Sequence, residues 1–154
     1  MGAEIISGIL QRLDLSAFMI SSVPETADTG QIFRHLAQNK INIEFINQLS
    51  LKNGYSNVLL CVDESNRYSA STELEKLKSI IHAREIVQLQ KVGMLSIFPH
   101  KEQAFVISII IRSLTAEGIS VLAMGNSLSS VSCLIDEEKI PDAIQCLSNE
   151  FNLS

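Results

Sequence analysis

The sequence predicts an α+β fold in which one structural unit occurs twice. Residues 33–43 recur 78 positions later as residues 111–121, with the same apolar pattern. Residues 60–64 recur 73 positions later as residues 133–137. Repetition at a fixed spacing is typical of duplicated structural units. The two offsets differ by five residues, which we assign to a longer turn around Lys52-Asn53-Gly54 in the first copy.

The first copy shows strand and helix patterns in the order strand, helix, strand, strand, helix, strand. Its strand segments alternate apolar and polar residues or form short apolar runs, and its helical segments repeat apolar residues every three or four positions. The predicted strands are 17–23, 41–49, 55–62 and the beginning of a run at 87–90, and the predicted helices are 28–39 and 72–82.

The second copy follows the same order, with strands at 92–98, 119–125 and 129–135 and helices at 103–117 and 140–151. Residues 105–111 are mostly β-branched and would suit a buried strand if read alone. The repeat aligns them with a helix of the first copy, so we predict a helix that is apolar nearly all round. Its predicted core stripe is Ile107, Ile110, Ile111 and Leu114, with Phe105, Val106 and Ile109 on other faces.

This order matches the ferredoxin-like βαββαβ plan, an antiparallel sheet with both helices on one face. The second copy ends with its helix, whereas an additional apolar strand at 4–10 precedes the first copy. A missing strand would leave backbone groups unpaired, so we predict that the N-terminal strand completes the second module. The predicted modules are residues 13–90, and residues 4–11 together with 91–154.

Composition and charge exclude several classes of protein. The 154 residues carry a net charge of −5, and the 12 basic residues are scattered, which argues against a nucleic-acid surface. The apolar runs are too short to span a membrane, and no secretory signal precedes the first copy, so we expect a cytoplasmic location. A hydrophobic content of 46% favours oligomerisation, and we expect a homodimer.

Catalytic chemistry has no support in the sequence. No nucleophile, base and orienting group occur together, and no phosphate-binding glycine loop is present. His35, His82 and His100 are not spaced as metal ligands. We therefore expect no catalytic residues, no metal and no cofactor. The three cysteines are expected in the core: Cys61, Cys133 and Cys146.

Short motifs in both copies lead to a known family. They are Pro24-Glu25-Thr26, the helical segment 32–37, INIEFINQ at 41–48, GISV at 118–121, Asn126-Ser127 and VSCLIDEE at 131–138. In this order and spacing they resemble the tandem ACT modules in the regulatory region of aspartokinases. The resemblance covers almost the entire chain.

The resemblance implies an amino-acid sensor rather than an enzyme. In that family, paired modules dimerise and bind threonine, lysine or a related amino acid at their interfaces. Binding changes the activity of an aspartokinase catalytic domain, which is absent from these residues. The expected partners are an amino-acid effector, a second copy of the chain, and an aspartokinase catalytic subunit or domain. A separate regulatory subunit and a regulatory fragment both remain open.

Site residues carry over by position. Gln48 matches the family's effector-contacting glutamine, although an edge-strand polar residue is the alternative. Helix N-terminal N–H groups suit a carboxylate and an acidic side chain suits an ammonium group, but Glu25 and Asp28 could instead cap the helix. The loop matched to the family is Pro24, Glu25, Thr26, Ala27 and Asp28, and the other implied site residues are Asn42, Ile43, Ser120, Val121, Asn126 and Ser127.

The second module departs from the family pattern. Phe98-Pro99-His100 and Ala104-Phe105 replace glycine-containing segments that allow a close backbone approach to a ligand. Leu128 stands where the family has a glutamate. We therefore expect the site of the second module's loop to be lost or altered, and the site around Gln48 to be the better candidate. An assembly module with the same fold and no ligand is the alternative function.

Overall fold

The computed structural model describes residues 4–99 and 103–153. These residues form two compact units, which we call the first module (Asp14–Lys91) and the second module (the described residues of Met1–Leu13 and Val92–Ser154). The strands are β1 (Glu4–Pro24), β2 (Phe45–Ser50), β3 (Tyr55–Asp63), β4 (Glu85–Pro99), β5 (Ala123–Asn126), β6 (Val131–Asp136) and β7 (Phe151–Leu153). The helices are α1 (Gly30–Gln38), α2 (Arg67–Lys78), α3 (Gln103–Ala116) and α4 (Ile140–Glu150).

The first module places α1 and α2 against one face of an antiparallel sheet. The strand order is β2, β3, β1 and β4, with β2 at the edge. Phe18 pairs with Leu60 and Ile20 with Val58, so these four side chains share the face that carries the core. The helices contribute the apolar residues Ile32, Leu36, Ala70, Leu74 and Leu77 to this core.

The second module repeats this arrangement with α3 and α4. Its strand order is β5, β6, β4 and β1, with β5 at the edge. Leu95 pairs with Cys133 and Ile97 with Val131, again on the face that carries the core. The helices contribute Val106, Ile109, Ile110, Leu114, Ile140, Ala143 and Leu147.

Strand pairing reproduces the sequence repeat residue by residue. The pair Gln48 and Val58 corresponds to Asn126 and Val131, since 48 + 78 = 126 and 58 + 73 = 131. The other three pairs between β5 and β6 obey the same two offsets. The duplicated α+β fold predicted from the sequence is therefore confirmed.

The N-terminal part of β1 belongs to the second module. Glu4–Ile6 pairs in parallel with Phe151–Leu153, and a Cβ atom built on Gly93 would lie 3.5 Å from the carbonyl oxygen of Arg12. The N-terminal strand therefore completes the second module, as predicted. The predicted end of the last helix is wrong, because α4 stops at Glu150 and Phe151 begins the short strand β7.

Several element boundaries differ from the predictions. The strands predicted at 4–10 and 17–23 form one continuous strand, as do those predicted at 87–90 and 92–98. Helix α2 begins at Arg67 rather than at residue 72, because a 3₁₀ turn at Glu64–Asn66 leads directly into it. Asp63 caps that turn by accepting a hydrogen bond from the Ser65 N–H at 2.9 Å. Strand β2 begins at Phe45, four residues later than predicted.

Helix α3 is a helix, as the repeat required, but its predicted core stripe is partly wrong. Val106 is buried and Ile109 is 8% exposed, whereas Ile111 is 40% exposed and Ile107 is only partly buried. The buried positions lie three or four residues apart along 106, 109, 110 and 114, which is the spacing of one helix face. Ile107 and Ile111 follow each other on the neighbouring face.

Removal of residues 1–11 should unfold the second module and leave the first module folded. The deletion removes the partner of β7 and the Ile9 side chain that packs against the second core. Both tyrosines, Tyr55 and Tyr68, lie in the first module, so their fluorescence during urea unfolding reports that module alone. Circular dichroism should show the lost structure.

The matched control is Leu10→Ala, because Leu10 is 63% exposed and lies in the same strand segment. This variant should unfold like the wild type. A truncated protein with the full helical signal and an unchanged unfolding curve would contradict the role of the N-terminal strand in the second module.

Gly93→Ala should destabilise the second module. A Cβ atom at this position would lie 2.7 Å from Cγ1 of Ile140, a core side chain that is 2% exposed. Overpacking a core typically costs about 1–3 kcal/mol, which urea unfolding should detect. Gly8→Ala is the control, because no atom lies within 4 Å of its Cβ position. Equal unfolding free energies for the two variants would show that Ile140 moves aside freely.

Candidate effector site

The loop that precedes α1 forms some of its hydrogen bonds within itself. The Ala27 N–H donates to the Pro24 carbonyl at 2.9 Å, which forms a turn. The Gly30 N–H donates to Oδ1 of Asp28 at 2.9 Å, and Oδ2 of Asp28 lies 3.8 Å from Arg34. Asp28 therefore caps its own helix, which is the alternative that the sequence left open for this residue.

Glu25 is attached to the β2–β3 hairpin rather than to the helix. Its N–H donates to the Gly54 carbonyl at 2.9 Å, and Oε1 of its carboxylate accepts a hydrogen bond from the Ser50 hydroxyl at 2.5 Å. Pro24 pairs with Tyr55 beside it. The longer turn of the first copy thus holds the loop that precedes α1.

Gln48 lies near the end of the edge strand β2, with an exposed side chain. Its pairing with Val58 places it on the sheet face that carries the core and α1. Ser50 shares this face because side chains alternate along a strand, and the two residues lie roughly 7 Å apart. Among residues 4–99 and 103–153, the Gln48 side chain has no hydrogen-bond partner.

Free main-chain donors lie in the same loop. Within the described part of the chain, the N–H groups of Thr26, Asp28 and Thr29 have no protein partner. The first N–H groups of α1 itself are occupied, because Gln31 donates to the Asp28 carbonyl and Ile32 to the Thr29 carbonyl. The first module therefore combines unpaired N–H donors, the Glu25 carboxylate and the Gln48 amide.

In the second module the corresponding place is filled by the chain itself. Asn126 occupies the strand position of Gln48, and the offset of 78 that relates the two helices assigns Gln103 to Glu25. Nδ2 of Asn126 donates to Oε1 of Gln103 at 3.1 Å, and Nε2 of Gln103 donates to the Ser127 carbonyl at 2.6 Å. The Gln103 side chain therefore uses the Asn126 amide and the Ser127 carbonyl, two groups that a ligand would otherwise contact.

Ser120 and Val121 lie elsewhere in the second module, in a cleft of about 450 Å³ at the end of α3. Gly118 ends the helix with a φ of +72°, a conformation that glycine adopts without strain. The other residues that line the cleft are Ile111, Thr115, Gly118 and Ile119.

Asn42 and Ile43 hold the equivalent place in the first module. They follow Lys40, which has a φ of +57° where the second module has Gly118. Both residues precede β2, which begins at Phe45, whereas Gln48 lies roughly 10 Å further along that strand. Within one module the structure therefore separates this pair from Gln48.

Sequence reasoning missed two residues of this arrangement, Ser50 and Gln103. Ser50 could have been found from the two-residue period of a strand, because it must share a face with Gln48. Gln103 could have been found from the offset of 78 that relates it to Glu25. Neither residue type is distinctive enough to attract attention without that positional argument.

The described residues meet neither the requirements of a metal site nor those of a membrane-spanning helix. In residues 4–99 and 103–153, no three His, Cys, Asp or Glu side chains form a group that could hold a metal ion. His35 lies 3.8 Å from Glu73, and His82 lines a surface cleft with Glu75 and Lys78. His100 lies outside the described residues. None of the described helices has the length and apolar character needed to cross a bilayer.

Comparisons with known proteins identify the fold. No protein-family model matches the sequence, and no curated protein matches it. Among solved structures, a crystal structure of aspartokinase alpha and beta subunits superposes on this chain with a TM-score of 0.85. The two sequences are 24% identical, and the match covers 94% of this chain and 97% of that chain. The ligand-free regulatory subunit of aspartate kinase from Thermus thermophilus superposes with a TM-score of 0.83 at 18% identity. That match covers 96% of this chain and 99% of the Thermus chain.

The chain has the fold of an aspartate kinase regulatory subunit. This confirms the resemblance to tandem ACT modules that the motifs suggested. Aspartate kinase from Synechocystis matches 99% of this chain at 20% identity, with a TM-score of 0.85. The matched region is 28% of that kinase, so most of the kinase has no counterpart in these 154 residues.

The cysteines of this regulatory-subunit fold differ in burial. Cys61 and Cys133 are buried, as expected, whereas Cys146 is only partly buried against the second core. Burial raises the pKa of Cys61 to about 12 and that of Cys133 to about 11. Burial also raises the pKa of Cys146, with smaller contributions from the nearby charges of Glu117 and Glu150.

Stability should fall between pH 9 and pH 10.5 because of the two buried thiols. The unfolded chain releases these protons near pH 9, whereas the folded chain keeps them until about pH 11 to 12, so rising pH favours unfolding. The loss should be about 1–2 kcal/mol per thiol. Urea unfolding at both pH values measures it. A Cys61→Ala/Cys133→Ala variant should lose less stability than the wild type between these pH values. An equal loss in the variant and the wild type would show that the two thiols do not cause it.

Proposed function

We propose that this chain binds an amino acid beside Gln48 in the first module and thereby regulates an aspartate kinase. The fold supports an allosteric regulatory role. The site beside Gln48 carries polar groups that suit an amino acid. The site residues are those of the loop before α1 and the end of β2. The effector class is threonine, lysine or a related amino acid, as the motif resemblance implies.

The observation that carries the proposal is a set of groups complementary to a zwitterion. A carboxylate accepts hydrogen bonds from main-chain N–H groups near a helix N-terminus, and those of Thr26, Asp28 and Thr29 have no protein partner in the described chain. An ammonium group pairs with a carboxylate, and Glu25 supplies one. Gln48 adds an amide that can both donate and accept.

Regulation requires that binding favour one arrangement of the protein over another. The effector would join the loop before α1 to the edge strand β2, two segments already connected through Glu25 and Ser50. Closing this loop onto the strand alters the edge of the first module, where a partner can pair. One similar structure contains aspartokinase alpha and beta subunits, and we propose a kinase catalytic subunit or domain as the partner here.

A homodimer is part of the proposal. Strand β2 lies at the edge of its sheet, and no Lys, Arg, Asp or Glu occurs in it. Edge strands without charged residues or proline readily pair with another chain. Apolar residues exposed on and beside this edge are Ile46, Leu49, Leu51 and Tyr55.

The same apolar edge favours a second candidate function, an assembly module that dimerises without a ligand. The two functions differ in their response to small molecules, because a ligand that binds only the folded state raises its stability. An assembly module would show no such response.

A thermal-shift panel of the twenty amino acids should identify at least one that stabilises the chain. A ligand at 100 times its dissociation constant adds about 2.7 kcal/mol of stability. Flat melting curves for all twenty would reject effector binding and favour the assembly function.

Gln48→Ala should raise the dissociation constant of the stabilising amino acid by roughly ten- to hundredfold, because a hydrogen bond to a charged group is worth about 1.5–3 kcal/mol. Asn47→Ala is the matched control. Asn47 is also exposed, but its side chain lies on the opposite face of β2. Equal binding by both variants and the wild type would place the site elsewhere.

A further inference from the structure

The Glu25 carboxylate is held by a chain of hydrogen bonds that begins in the hairpin turn. The Lys52 N–H donates to the Ser50 hydroxyl oxygen at 3.4 Å, and the Ser50 hydroxyl donates to Oε1 of Glu25 at 2.5 Å. Because the ionised carboxylate of Glu25 can only accept, the Ser50 hydroxyl donates its proton to Glu25 while its oxygen accepts from the Lys52 N–H. The backbone of Glu25 is held as well, by the Gly54 carbonyl at 2.9 Å.

This arrangement leaves part of the carboxylate free. A carboxylate has two oxygens with about four acceptor positions. Ser50 uses Oε1, and within residues 4–99 and 103–153 Oε2 of Glu25 has no protein partner. Glu25 is exposed, so that oxygen is accessible to a ligand. A side chain that is already oriented loses less conformational freedom when it binds a ligand.

The second module provides an internal comparison. The position equivalent to Ser50 is Leu128, since 50 + 78 = 128, and its side chain is fully exposed. The position equivalent to Glu25 is Gln103, which is bound to Asn126 and Ser127. Among the described residues, the offset of 78 therefore places an amide in the second module where the first has the Glu25 acid, and an apolar side chain where the first has the Ser50 hydroxyl.

We infer that Ser50 is a positioning residue that orients Glu25 to receive the ammonium group of the effector. This role rests on the proposed function and assigns the recognition of the amino group to the Ser50–Glu25 pair. Ser50 acts through Glu25, so its removal should weaken the binding of ligands that carry an α-ammonium group and leave the binding of ligands without an α-ammonium group unchanged.

The experiment compares Ser50→Ala and Ser50→Thr with the wild-type chain by isothermal titration. The probes are L-threonine and L-lysine, each paired with the 2-hydroxy acid in which a hydroxyl group replaces the α-amino group. Ser50→Ala should weaken amino-acid binding roughly three- to tenfold, the effect of one hydrogen bond. Ser50→Thr keeps the hydroxyl and should restore binding. Leu128→Ser, at the equivalent position of the second module, should bind like the wild type.

The 2-hydroxy acids separate positioning from a structural effect. They should bind more weakly than the amino acids, and equally to the wild type and to Ser50→Ala. Equal weakening of amino acids and hydroxy acids would overturn the role of Ser50, because it would reflect general damage to the loop. Unchanged amino-acid binding by Ser50→Ala, with Gln48→Ala still impaired, would overturn it and leave the proposed function standing. A chain that binds no amino acid would overturn both.

Discussion

The pairing of β2 with β3 fixes the chemistry of the first module's edge. Gln48 opposite Val58 and Ser50 opposite Ser56 place both polar side chains on the face that carries α1. A slip of one residue would move both to the other face, because side chains alternate along a strand. The Ser50–Glu25 hydrogen bond then connects this strand to the loop before the helix. The Gln48 amide and the Ser50 hydroxyl group that contacts Glu25 both depend on that register.

In the same fold, the second module satisfies its own polar groups at the place where the first module leaves them available to a ligand. Both have the same strand register, yet α3 already includes Gln103, whereas the chain is still a loop at the equivalent Glu25. In the second module the Gln103 amide satisfies Asn126 and the Ser127 carbonyl. In the first module the loop leaves N–H groups unpaired. Thr26 and Asp28 are exposed and Thr29 is partly exposed, so a ligand carboxylate can reach these N–H groups.

Much of the fold could be predicted because the chain repeats itself. The offsets of 78 and 73 set the strand pairing of both modules and identified α3 as a helix despite its β-branched residues. The repeat could not fix which face of α3 is buried, since Ile107 and Ile111 are as apolar as Val106 and Ile109. That choice depends on packing against the sheet and α4, which sequence spacing alone does not determine.

The candidate site was only partly accessible to sequence reasoning. The motif resemblance identified Gln48 and the loop from Pro24 to Asp28 as candidates, but only the structure distinguishes the role of Glu25 from that of Asp28. Asp28 caps α1, whereas Glu25 turns towards the hairpin. This difference follows from the position of the Lys52-Asn53-Gly54 turn, and the conformation of a long turn is not encoded in a simple period.

The most direct test of the central claim is an amide ¹H–¹⁵N NMR titration of the chain with L-threonine or L-lysine. The account predicts saturable shifts at the backbone amides of Thr26, Asp28 and Thr29 and at the side-chain amide of Gln48, with the amides of Gln103 and Asn126 unchanged. Shifts confined to the second module, or no shifts with either amino acid, would contradict it.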